Sequence, residues 1–434
     1  LATASTTLRS PYLEPEKGQA ESVLADVALS IDPDSIEFEA SAKIATPETA
    51  LLARFEPGSI KVERFAGEKV DVAAIASTAT WQQILEGEHN GLEAVTANQM
   101  AVRGNLHRAM ELGSLIEPAR PYRWSYRVGR VQAGKVGIAR IKSFIERHDP
   151  AADAASAEKY RTAAPVIFIH GLSATKSSML PPFTHMARHV EAHAVDLPGH
   201  GESDKPMVSY TPAFLATEIL HYMDAENIDK AVLVGNSLGG RVSLEIAARW
   251  PDRVEKLVLY APAMAPIKDR ALLPLLRLVP SYVGMIPAVF NRRAAELVVS
   301  TFLGKSQRTS PALLEAAIDD FLRIYSSPGA RRALYSALRA YLLAPPFGED
   351  GFWNSLEKIT APALFIWGRF DPLISWKYSR MTAKTVEHAV SVIYEDGGHV
   401  PQIEHPQRTN QITESFILEG KIPESSAQVT VWRT

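Results

Sequence analysis

The residues Gly235-Asn236-Ser237-Leu238-Gly239-Gly240 are the stretch of this chain best equipped for chemistry. They follow the apolar run Ala231-Val232-Leu233-Val234 and precede Arg241-Val242-Ser243-Leu244-Glu245-Ile246-Ala247-Ala248-Arg249, which has helical spacing. Strand, tight turn and helix with a serine at the apex describe a nucleophile elbow. Gly235 and Gly239 leave space beside the serine for a strained turn. The helix that starts there aims its first N–H groups at any oxyanion that forms. A serine hydroxyl also needs a base to take its proton and an acid to orient that base. Two downstream loops supply candidates. Trp367-Gly368-Arg369-Phe370-Asp371-Pro372 sets Asp371 after a strand-like run, and Glu395-Asp396-Gly397-Gly398-His399-Val400-Pro401 sets His399 after another. The chemistry to expect is acyl transfer on Ser237, with His399 as base and Asp371 holding its ring.

Two N–H donors must meet the oxyanion. One is expected from Leu238. The other is expected from Leu172, in the loop Ile169-His170-Gly171-Leu172-Ser173. Gly171 lets that loop approach the reacting carbonyl, and His170 shapes it. The rivals are weaker. Asp350 lies in an insertion, and Asp396 is three residues from the histidine it would have to orient. His405 precedes a proline and reads as structural. Asp196, His200 and Asp204 read as a hydrogen-bonded loop rather than a metal site.

The elements that must position these residues are short and apolar. Strand-like runs occur at residues 165–170, 192–196, 231–234, 256–260, 363–367 and 390–394. Such near-continuous hydrophobic runs suit strands buried on both faces of a parallel sheet. Helical segments separate them, so an α/β doubly wound sheet follows. An insertion at residues 263–355 is too long for a connection. Its spacing, as in Leu313-Leu314-x-x-Ala317-Ile318-x-x-Phe321-Leu322, is helical. It predicts a helical cap over the carboxyl edge of the sheet, where ligands bind in such folds. Its apolar run from Leu272 to Phe290 is either simple core or the lining of an acyl pocket, and the second would favour medium-chain over acetyl esters.

A small, polar linker at 149–163 separates the core, 164–262 and 356–418, from a small α+β region at 46–148. Residues 1–45 are expected to be an N-terminal extension and 419–434 a C-terminal tail. Within the small region, residues 55–65 alternate like a strand, residues 80–87 read as a helix ending at Gly87, and Leu106-x-x-Ala109-Met110-x-Leu112 reads as a second helix. Trp81 and Phe55 are expected in its core.

The length of 434 residues suits two domains. The formal net charge of −3 offers no basic excess for nucleic acid. There is no cysteine, which excludes disulfides, a thiol nucleophile and Cys-ligated metal and fits a reducing cytoplasm. No apolar run reaches the ~18 residues of a membrane span, and Leu1-Ala2-Thr3-Ala4-Ser5 does not start an intact signal peptide. A cytoplasmic protein, at most peripherally attached to a membrane, is expected. So are a small-molecule ester as partner, no cofactor and no metal; homo-oligomerisation is left open.

Residues about 164–418 resemble the α/β-hydrolase superfamily. The motifs that carry the resemblance are His170-Gly171, Asp196-Leu197-Pro198-Gly199-His200-Gly201-Glu202-Ser203-Asp204, Gly235 to Gly240, Trp367-Gly368-x-x-Asp371, and Gly397-Gly398-His399-x-Pro401-x-x-Glu404-His405-Pro406. The resemblance implies a serine hydrolase acting on carboxylic esters, with the order Ser, Asp, His along the chain. The Gly-Asn-Ser-x-Gly-Gly elbow is also similar to that of carbon–carbon bond hydrolases of meta-cleavage products. Those enzymes usually carry Trp after the histidine, where this chain has Val400. Residues about 46–116 resemble a sterol carrier protein type 2 domain through Thr80-Trp81-Gln82-Gln83-Ile84-Leu85-Glu86-Gly87, residues 100–106 and Ala109-Met110-Glu111-Leu112. That resemblance implies lipid binding, and with it a third reading: a lipid carrier in which hydrolysis is secondary.

Overall fold

The computed structural model describes residues 19–145, 163–266, 283, 285, 291–303, 311–349, 351–421, 424–426 and 428–433. The chain divides into two compact units, Leu1–Arg123 and Trp124–Thr434.

In the first unit, helix α1 (Gln19–Leu29) leads to strands β1 (Ala40–Ala45), β2 (Ala50–Glu56), β3 (Ser59–Arg64) and β4 (Val72–Ala76). Helices α2 (Thr78–Glu86) and α3 (Gly91–Thr96), strand β5 (Met100–Gly104) and helix α4 (Leu106–Ser114) complete it. The sheet order is β3-β2-β1-β4-β5. Helix α2 begins where the Ser77 hydroxyl accepts from the Thr80 N–H and ends at left-handed Gly87, as its sequence suggested. Trp81 and Phe55 are core residues, 3% and 1% exposed. Two expectations are corrected. Residues 55–65 do not form one strand: the chain turns at Pro57-Gly58 and pairs β2 with β3 as an antiparallel hairpin. Residues 1–45 are not merely an extension, because β1 is the central strand of the sheet. Its sequence, Ala40-Ser41-Ala42-Lys43-Ile44-Ala45, has small side chains and gives little hydrophobic signal.

The second unit is built on a nine-stranded sheet in the order β14-β13-β12-β11-β10-β8-β9-β7-β6. Its strands begin with β6 (Trp124–Ala133), β7 (Val136–Ile145), β8 (Val166–Ile169) and β9 (Ala192–Val195), continue through β10 (Ala231–Asn236), β11 (Val254–Tyr260), β12 (Ala363–Gly368) and β13 (Ala389–Tyr394), and end with β14 (Val429–Arg433). The six strand-like runs of the sequence are the six mutually parallel strands β8 to β13. Every residue of β8, β9, β10, β12 and β13 is buried, which is why none of them alternates. The helices of this unit are α5 (Leu180–Met186), α6 (Pro212–Ala225), α7 (Leu238–Arg249), α8 (Arg292–Leu303), α9 (Pro311–Tyr325), α10 (Pro328–Leu343), α11 (Phe352–Ser355), α12 (Ser379–Thr385), α13 (Pro401–Glu404) and α14 (Pro406–Glu414).

Two more boundaries move. The hairpin β6–β7 lies within the 46–148 region yet belongs to this sheet, since β7 pairs antiparallel with β9. Residues 429–433, placed in the tail, form β14 against β13. Both segments join the sheet by antiparallel pairing, and only a partner distant in sequence assigns them. Residues 149–162 of the expected linker lie outside the described residues. So do residues 267–282, 284, 286–290, 304–310 and 350 of the expected cap, including nearly all of its apolar run. The described part of the cap is mostly helical. Helices α8, α9 and α10 contribute Ala295, Ile318, Phe321, Ile324, Tyr325 and Ala330 to a small apolar core of their own.

Candidate active site

Strand β8 sits between β9 and β10, so the chain leaves β8 on one side and returns on the other. That reversal opens a crevice at the carboxyl ends of β8 and β10. The loop after β8 begins at His170, and the turn after β10 carries Ser237. Ser237 has φ 49° and ψ −111°, a conformation few side chains adopt. Its N–H donates to the Tyr260 carbonyl at 2.9 Å, and its own carbonyl accepts from the Arg241 and Ala263 N–H groups at 3.0 and 2.8 Å. These bonds fix the elbow from β11 and from α7. A Cβ on Gly239 would overlap the Ile169 carbonyl oxygen, so only glycine lets α7 approach β8 this closely. A Cβ on Gly171 would lie 3.2 Å from the Ser237 Cβ, which places the loop after β8 beside the nucleophile.

Asp371 follows β12 and His399 follows β13, both parallel neighbours on the same edge. His399 Nδ1 donates to Asp371 Oδ2 at 2.8 Å, and both side chains are 1% exposed. The other Asp371 oxygen accepts from the Leu373 and Ile374 N–H groups at 2.7 and 2.9 Å. A carboxylate held this way fixes the imidazole with its Nε2 available for proton transfer. The elbow and the histidine loop are joined directly: Asn236 Nδ2 donates to the Tyr260 carbonyl at 3.0 Å and the His399 carbonyl at 3.3 Å. Glu404 braces the histidine loop, accepting from the Gly398 and Val400 N–H groups at 2.8 and 3.0 Å.

The loop expected to hold the second oxyanion donor is stiff. His170 Nδ1 donates to the Gly171 carbonyl at 2.7 Å, and its Nε2 accepts from the Leu197 N–H at 3.0 Å. Burial pushes the His170 pKa down, so the ring is neutral and acts as a strut. Leu238 is the first residue of α7, where N–H groups lack helical partners. Leu172 is one residue past Gly171, in the same turn as positive-φ Ser173.

The residues weighed as rivals have other partners. Asp196 is fully buried and accepts from the Lys176 N–H and Nζ, each at 2.7 Å, and from the Glu202 N–H at 3.0 Å. Burial, the largest single influence, would raise its pKa; the Lys176 charge, the neighbouring His170 and the two hydrogen bonds from Lys176 together outweigh it and hold the group below the usual carboxylate range. His200 Nδ1 donates to the Pro198 carbonyl, and Asp204 accepts from the Gly137 N–H and from Arg130. Asp396 pairs with Arg408 and His405. Three positioning groups went unread in the sequence: Lys176, Asn236 and Glu404. The only signal for Lys176 was a charge in an otherwise uncharged loop.

Residues 164–406 match the model of the α/β hydrolase fold, and residues 36–117 match that of the SCP-2 sterol transfer family. The chain is 28% identical over 230 residues to the 2-hydroxy-6-oxononadienedioate/2-hydroxy-6-oxononatrienedioate hydrolase of Klebsiella pneumoniae, covering 52% of this chain and 76% of that protein. It is 31% identical over 259 residues to the dihydrolipoyllysine-residue acetyltransferase component of the acetoin cleaving system of Pseudomonas putida. That match covers 58% of this chain and 63% of that protein. A crystal structure of a bacterial membrane phospholipase A superposes with a TM-score of 0.53 at 23% identity, covering 68% of this chain and 86% of that one. At that identity the likeness is one of fold.

Proposed function

Since this chain belongs to the α/β-hydrolase fold family, we propose that it is a serine hydrolase that cleaves carboxylic esters with lipophilic parts. The observation that carries the reading is the buried Asp371–His399 pair on the same sheet edge as a strained serine. Ser237 Oγ attacks the ester carbonyl while His399 Nε2 takes its proton. The Leu172 and Leu238 N–H groups receive the oxyanion. The imidazolium, held by Asp371, then protonates the departing alkoxide. Water, deprotonated by His399, cleaves the acyl-enzyme and restores Ser237. The match of residues 36–117 to a sterol transfer family supports an apolar substrate.

The test is turnover of p-nitrophenyl esters. Ser237→Ala and His399→Ala should each lower kcat by ~10³-fold or more with an unchanged fold. Near-wild-type turnover by Ser237→Ala would sink the assignment. A second reading is favoured by the likeness to the Klebsiella dienedioate hydrolase: the same groups would cleave a carbon–carbon bond of a vinylogous diketone. Val400, in the place where such enzymes usually carry Trp, weighs toward the ester. A strong preference for a coloured dienoate over simple esters would reverse that order.

A further inference from the structure

His185, His189 and Glu414 meet on the face of the second unit where α5 packs against α14. His185 lies in α5, and His189 stands in the turn that follows the helix, where its N–H donates to the Met186 carbonyl at 2.8 Å. Glu414 is the last residue of α14. His185 Nε2 is 2.7 Å from Glu414 Oε2, and His189 Nε2 is 3.5 Å from Glu414 Oε1. One donor atom from each of the three residues lies within 4.8 Å of the others. A tetrahedral zinc with bonds of ~2.0–2.1 Å separates neighbouring ligands by about 3.3 Å. The two histidine–carboxylate spacings bracket that value, and the 4.8 Å bound on the three donors leaves the site to close by side-chain rotation around the ion.

The donor set also selects the ion. Two imidazoles and one carboxylate suit zinc and the later first-row divalent metals, whereas magnesium and calcium prefer all-oxygen shells. The side chains are 25%, 19% and 31% exposed, which leaves solvent access for a fourth, water ligand. We propose that His185, His189 and Glu414 form a binding site for a divalent transition metal, with zinc as its best occupant. The site is separate from the hydrolytic groups and would serve as a clamp. Helix α5 follows the loop that begins at His170, and α14 follows the loop of His399. The two helices are otherwise joined by a hydrogen bond from Asn410 Nδ2 to the Pro181 carbonyl at 3.1 Å. A bound metal would therefore tie together the supports of both catalytic loops.

The experiment titrates chelator-stripped full-length protein with zinc by calorimetry, with Mg²⁺ as control. One saturable site of micromolar or tighter affinity is expected, with no Mg²⁺ heat. Saturating zinc should raise Tm by roughly 2–5 °C. Glu414→Gln, which keeps size and fold, should weaken zinc at least tenfold, and His185→Ala with His189→Ala should abolish the site and the Tm rise. Metal-free ester turnover should be unchanged in these variants. No saturable binding at 100-fold excess of zinc over protein would overturn the proposal. So would binding that persists in the double variant, which would mark an adventitious ion only.

Discussion

At the scale of single residues, the sharpest measurable consequence lies in the buried histidines of the second unit. Burial depresses the pKa values of His170, His193 and His200, that of His200 to about 3. In the unfolded chain each titrates near ~6.5. For His200 the window runs from pH about 3 to ~6.5: the unfolded state binds the extra proton there, and stability falls as the solution is acidified through it, with His170 and His193 acting in the same direction. His200 contributes a limiting slope of ~1.4 kcal/mol per pH unit within that window. Asp196, held low by Lys176, adds a loss in the same direction at lower pH. Asp320 and Glu404, raised by burial, work in the opposite sense. Urea midpoints at pH 7.5, 6 and 5 should fall steadily, and His200→Gln should flatten the slope; a pH-independent midpoint would contradict this account. The same residues mark what a sequence conceals. Ser237, Asp371 and His399 stand in motifs whose local spacing signals a role. Asn236 reaches His399 across 163 positions and Lys176 reaches Asp196 across 20. No local pattern encodes such pairings.

Among the elements, the contact of α7 with β8 is the one that places the nucleophile. Gly239→Ala would drive a methyl group into the Ile169 carbonyl oxygen. It should cost roughly 2–4 kcal/mol in urea unfolding and lower ester turnover beyond what the lost stability explains. A stability change under ~0.5 kcal/mol would mean that the helix moves freely, against this account. The six parallel strands were legible because burial on both faces makes them unbroken apolar runs. Strands β6, β7 and β14 join by antiparallel pairing, and a lone strand-like segment does not say which sheet it joins. Strand β1 was missed for a different reason: its alanines and serine give a central strand almost no hydrophobic contrast.

For the molecule as a whole, the sequence conveyed two units and their types but misplaced the border between them. A composition change at about residue 150 is conspicuous, and the hydrolase match itself begins at residue 164. The fold nevertheless begins at Trp124. Among the described residues, no helix is long and apolar enough to cross a membrane.

The pairing of β7 with β9 decides where this protein can be cut. A fragment starting at residue 164 would keep every motif, yet it would strip Ile141 and its neighbours from Ala194 and leave the outer edge of β9, the one away from β8, unpaired. A strand that apolar and that bare is a template for joining other copies edge to edge. Residues 164–434 produced alone should form aggregates that bind amyloid dyes, while residues 124–434 should stay monodisperse in light scattering. Equal solubility of the two fragments would show that β9 does not need its cover. A composition change near residue 150 invites a cut there, but the strands that flank it in sequence, β7 and β8, belong to one sheet.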